Sequence, residues 1–108
     1  GTFSSFAEFV PQRDFALCHA TVKRLASGRL LLPANPPATG MSAERGPYAA
    51  AILFSDDDGL TWRVSASRVE LPLRGAMEPH VEQTGDGRVL MVMRNQLGKL
   101  HFADSHDD

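Results

Sequence analysis

Apolar residues fall in short runs separated by turn residues, and no stretch repeats with the 3.6-residue spacing of a helix. The runs 30–32 and 89–93 are almost continuously apolar, the pattern of strands buried on both faces. Segments 21–25 and 80–83 precede them across Ser27-Gly28 and Asp86-Gly87, so each pair predicts a hairpin. Asp-Gly between apolar runs is a strong hairpin signal, because glycine accepts positive φ without steric cost. Segment 49–54 predicts a third strand and 61–69 a fourth. The expected class is all-β, built of four-stranded antiparallel units. Residues 1–15 show no pattern that places them, unless they form the outer strand of a preceding unit.

The hairpins belong to an internal repeat. One copy runs from His19 through Gly28-Arg29 to Ser55-Asp56-Asp57, the other from Glu78 through Gly87-Arg88 to Ser105-His106-Asp107. His19 and Glu78 each stand nine positions before their glycine. The first copy is longer between glycine and serine, and the extra residues fall in the Pro- and Gly-rich segment 35–47. Equivalent positions lie 50 to 59 residues apart, a spacing that suits propeller blades. The expected division is 1–15 unplaced, 16–70 a first blade, and 71–108 a second, incomplete blade. Two blades do not close a ring and would leave unpaired edges. The chain is therefore expected to be a fragment of a six-bladed ring or a self-associating protomer, three of which would complete one. The second motif stops before its Gly-x-Thr-Trp half, which favours the fragment.

Composition removes several classes. With 43% hydrophobic and 22% charged residues, the chain is neither collagen-like nor disordered. A net charge of −2, with basic residues scattered, gives no reason to invoke nucleic acid or an anionic membrane. No apolar run approaches the length of a membrane helix. No charged region leads into an apolar stretch at the N-terminus, so no signal peptide is visible. Cys18 is the single cysteine, which excludes an internal disulfide and leaves the compartment open. His19, His80, His101 and His106 lack metal-ligand spacing, so neither a metal nor a cofactor is called for.

The segment Ser55-Asp56-Asp57-Asp58-Gly59-Leu60-Thr61-Trp62 matches Ser-x-Asp-x-Gly-x-Thr-Trp in full, the pattern called the Asp box. Its chemistry is that of a tight turn. Ser55 and Asp57 bond turn N–H groups, Gly59 takes the left-handed conformation, and Thr61 and Trp62 close the base. With this box and the two Gly-Arg hairpins, residues 17–108 resemble the sialidases (neuraminidases), six-bladed propellers whose Asp boxes lie opposite the active site. The resemblance is compatible with a secreted or periplasmic protein.

Hairpin geometry sets Glu78 and Arg94 near each other at one rim, with the Asp86-Gly87 turn and the Asp box at the other end. The resemblance implies that Arg94 is one of three arginines binding the substrate carboxylate, a task for which its planar fork is suited. It implies that Glu78 hydrogen-bonds a tyrosine nucleophile, sialidases being a tyrosine-using exception among retaining glycosidases. The implied partner is carbohydrate: a sialoside or related acidic sugar. Tyr48 does not match the nucleophile position, so nucleophile and acid/base are expected outside the chain, which alone should not hydrolyse sialosides. A structural ion pair is the other reading of Glu78 and Arg94, and a non-catalytic glycan-binding or assembly propeller is the rival function. His19, at the repeat position of Glu78, is a candidate rim residue or a structural histidine. Asn35 and Arg45 are candidates for substrate contact from the inserted segment, although loop polarity explains them equally well. Arg29 and Arg88 are expected to face solvent.

Overall fold

The computed structural model describes residues 21–41 and 46–106, all strand, turn or loop, with no helix among them. Accordingly no helix among the described residues is long and apolar enough to cross a membrane. Among the described residues eight strands form two antiparallel sheets: β1 (Lys23–Arg24), β2 (Leu30–Ala34), β3 (Ala49–Ser55), β4 (Arg63–Val64), β5 (Val69–Glu70), β6 (Met77–Gln83), β7 (Val89–Arg94) and β8 (His101–Ser105). The first sheet runs β1-β2-β3-β4 with β5 also on β3; the second runs β6-β7-β8. This is the all-β, blade-like arrangement expected of a portion of a β-propeller.

The predicted fourth strand over 61–69 is instead two short pieces. β4 pairs Val64 with Leu53, and β5 pairs Val69 with Ala50. Between them one backbone bond of Ser65 is kept and its hydroxyl takes the place of the other. Its N–H donates to the Ile52 carbonyl at 2.8 Å, its hydroxyl accepts from the Ile52 N–H at 3.2 Å, and that hydroxyl donates to the Ser67 carbonyl at 2.8 Å. Hydroxyl-to-backbone bonds of this kind compete with strand pairing.

The two inner hairpins repeat at the level of single bonds. Leu25 N–H donates to Arg29 C=O at 2.9 Å and Gly28 N–H to Leu25 C=O at 2.9 Å. In the second copy Thr84 N–H donates to Arg88 C=O at 2.8 Å and Gly87 N–H to Thr84 C=O at 2.9 Å.

The sheets pack through two apolar clusters. Leu25, Leu31, Val81 and Val89 form one, with Ile52, Phe54 and Met91 against it. Ala50, Ala76 and Met93 form the other, with Val69, Leu71 and Ala103 at its edge. The small Ala50 and Ala76 pack around the large Met93, which is 1% exposed. At the turn end, the Lys23–Glu82 ion pair at 2.7 Å and the Ala26 N–H bond to Gln83 Oε1 at 2.8 Å join the sheets.

At the other end the linker is laced to Tyr48. Tyr48 N–H donates to Arg74 C=O and Ala76 N–H donates to Tyr48 C=O, both at 2.9 Å. Gly75 is fixed by this contact: its φ is +85°, and a Cβ there would sit 1.9 Å from the Tyr48 carbonyl oxygen.

Candidate functional site

The Asp box folds as its residue types dictate. Ser55 is buried at the end of β3. Its hydroxyl donates to Asp57 Oδ1 at 2.8 Å and accepts from the Gly59 N–H at 2.9 Å. Asp57 Oδ1 accepts the Thr61 N–H at 2.8 Å, while its other oxygen accepts the Thr61 hydroxyl. These donations, the Thr61 hydroxyl first, lower the Asp57 carboxyl to about 2. Gly59 has φ +91°, as anticipated, and Asp58 joins it at +61°. Trp62 Nε1 donates to Gly59 C=O at 3.0 Å. Asp57 therefore spends its charge inside the turn.

Arg29 departs from its expected solvent-facing placement. Its Nε donates to Asp56 Oδ1 at 2.6 Å and its Nη2 to Oδ2 at 3.1 Å. Arg63 bonds the same carboxylate, and both guanidiniums lie 4.8 Å from the Phe54 ring centroid. Arg29, followed by Arg63, holds the Asp56 carboxyl below its usual range. The carboxylate and the ring face together capture both cations. Arg88 is exposed and bonds Asp86 at 2.9 Å.

The opposite end carries Glu78 and Arg94. Arg94 closes β7, and Arg94 Nη1 donates to Glu78 Oε1 at 3.1 Å. An uninterrupted ladder would set Glu78 directly across from Arg94. Instead Met77 takes that register, and the pairing shifts through a bulge before His80↔Val92. Pro79, which has no ladder N–H to give, sits inside the bulge, one of the few places in a strand where proline fits. Glu78 adopts φ +49° there, a conformation that costs a non-glycine residue about 1–3 kcal/mol.

The pair is only partly used. Side-chain exposure is 60% for Arg94 and 36% for Glu78. Among the described residues, Glu78 Oε2 and the Nε and Nη2 of Arg94 have no hydrogen-bond partner. The following loop is braced by Asn95, whose Oδ1 accepts the Leu97 N–H and whose Nδ2 donates to Lys99 C=O, both at 2.8 Å.

Asn35 is brought to the same end but not to an exposed loop. It is 4% exposed and its amide is committed to backbone, so the substrate-contact expectation does not match its setting. His19 and Arg45 lie outside the described residues, as do the segment 1–15, Cys18 and Asp107 of the second motif copy. Among the described residues no three His, Cys, Asp or Glu side chains converge as a metal site requires. A cleft of about 370 Å³ between the sheets, lined by Leu31, Ile52, Phe54, Val81 and Met91 among others, includes neither Glu78 nor Arg94. It belongs to the apolar seam.

The BNR repeat-like domain profile matches residues 3–108. The chain belongs to the BNR repeat-like family. That membership agrees with the Asp box and with the likeness to sialidase-type repeats. No curated protein matches the chain. In this BNR repeat-like domain the box is a structural turn between β3 and β4, and Glu78 and Arg94 stand on β6 and β7 of the other sheet, at the end away from the Asp86-Gly87 turn.

Sequence reasoning missed the bulge and Tyr48. Pro79 inside a strand pattern signals the first. The Gly75-Ala76 step, where a backbone must approach closely, is the only trace of the second.

Proposed function

We propose that this domain contributes Glu78 and Arg94 to the acidic-sugar site of a sialidase-like glycoside hydrolase. The observation that carries the reading is the half-used pair on a strained bulge. An exposed ion pair stabilises a fold by about 0.2–1 kcal/mol, less than the about 1–3 kcal/mol a left-handed Glu78 costs. Stability alone therefore gives a weak reason for building it.

Arg94 offers its remaining guanidinium edge to a substrate carboxylate, which it binds bidentately. Glu78 offers a carboxylate oxygen to the O–H of a tyrosine from elsewhere in the ring, raising the nucleophilicity of that phenol. A neutral phenol approaches an anionic sugar with less repulsion than a carboxylate would. The acid/base group also comes from outside the chain, and His19 and Arg45 are candidates for further rim contacts. Ring closure with other blades, whether in one polypeptide or by self-association, completes the site.

Steady-state kinetics of the full-length protein on an aryl sialoside test this. Glu78→Gln keeps the shape and loses the charge, and should lower kcat by about a hundredfold or more. Arg94→Lys keeps the charge and loses the fork, and should raise KM more than it lowers kcat. Wild-type values for both would make the pair structural. Tight sialoside binding without turnover would instead support a non-catalytic glycan-binding propeller.

A further inference from the structure

We propose that Asn35 is a positioning residue for Glu78: its buried amide holds the left-handed bulge that sets the Glu78 carboxylate against Arg94. The bulge removes the Glu78 N–H from the β6–β7 ladder. That donor goes to Asn35 Oδ1 at 3.1 Å. Both hydrogens of Asn35 Nδ2 are also used, one on the Ala49 carbonyl and one on the Ala76 carbonyl, each at 3.0 Å. One planar amide thus ties the start of β3, the inter-sheet linker and the Glu78 backbone.

The arrangement is directional. Ala76 C=O and Glu78 N–H flank Met77, so gripping both fixes the two peptide groups on either side of the turn into the bulge. A positive φ at a glutamate persists only where its surroundings over-determine it. Asn35 supplies that constraint from a different sheet, and it does so at 4% exposure, where leaving the Glu78 N–H unpaired would be costly. The side chain of Asn35 need not touch substrate to govern turnover. Aspartate at this position would keep an acceptor for the Glu78 N–H but set its second oxygen against the Ala49 and Ala76 carbonyls; alanine would lose all three bonds.

The inference rests on Glu78 being a working residue, so its test separates the two claims. In the full-length protein, Asn35→Ala should lower kcat on an aryl sialoside about tenfold with little change in KM, because Arg94 sits on the regular strand β7. Asn35→Asp, which turns a carboxylate oxygen onto the Ala49 and Ala76 carbonyls, should recover none of the loss. In a Glu78→Gln background, Asn35→Ala should cost nothing further, since both act through one group. Additive losses would make Asn35 merely structural. If Glu78→Gln itself leaves turnover unchanged, the catalytic reading fails. Positioning is then still decided by a crystal structure of the alanine variant, in which Glu78 should relax to negative φ; a retained positive φ would overturn the proposal. Should Asn35→Ala fail to fold, hydrogen exchange of the wild-type protein decides the point. The Glu78 amide should be protected like its β6–β7 neighbours, and exchange at the rate of an open loop would overturn the proposal.

Discussion

Asn35 and Arg94 occupy the same place in their respective hairpins, each seven residues beyond the turn glycine. The turns behind them share the same two backbone bonds. Yet Asn35 is buried with its amide fully spent, whereas Arg94 is exposed and, among the described residues, bonded through one guanidinium nitrogen. The difference traces to what each hairpin meets. The first ends against the linker entering the second sheet, and its polar residue serves that junction. The second ends at a rim, where a bulge turns Glu78 toward Arg94. The turn ends differ too: the first sheet is closed by a buried Ser55 and a fully engaged Asp57, the second by an exposed Thr84–Asp86–Arg88 turn.

The junction should be the most sensitive point of the comparison. Gly75→Ala drives a Cβ into a backbone carbonyl that has no room to retreat, and should destabilise by at least about 3 kcal/mol. Calorimetry should show the loss, and an unchanged melting temperature would mean that the two hairpins are not joined as described. Next comes the Asp box. Ser55→Ala removes the acceptor for Gly59 N–H and the donor to Asp57 at a buried site, a change of about 1–3 kcal/mol, measurable by urea unfolding.

Acid should act on the first sheet through Asp57. Folding lowers this carboxyl from its ordinary value of 3.8 to about 2, so its contribution is complete above the unfolded value. It disappears as the pH falls from about 4 toward 2. The gap in melting temperature between wild type and Asp57→Asn should therefore narrow over that window, and a constant gap would contradict the turn chemistry. Asp86→Ala, in the exposed second turn, should give the smallest shift, below that of Ser55→Ala. A larger one would reverse the contrast between the two ends.

What was legible in the sequence was whatever depends on residue type at a fixed backbone geometry. Gly28, Gly87 and Gly59 mark positive-φ turns, and Ser55, Asp57, Thr61 and Trp62 bond as their box implies. That Glu78 and Arg94 lie near each other was legible from hairpin spacing, although the bulge through which they meet was not. Features that arise from three-dimensional accounting of donors were not legible. Ser65 breaks the outer strand by supplying its own hydroxyl bonds. Asp56 and Phe54 draw in Arg29, which local pattern alone left to solvent. Asn35 read as loop polarity beside Pro36 and Pro37, yet it is the amide that answers a bulge 43 residues away.

The proposed acidic-sugar site comprises Arg94 and Glu78. Its most direct test is a crystal structure of the full-length protein with a sialic-acid-type transition-state analogue. The sugar carboxylate should lie about 3 Å from two nitrogens of Arg94, with a tyrosine O–H on the free oxygen of Glu78. A ligand bound elsewhere, with Arg94 and Glu78 still engaged only with each other, would contradict it.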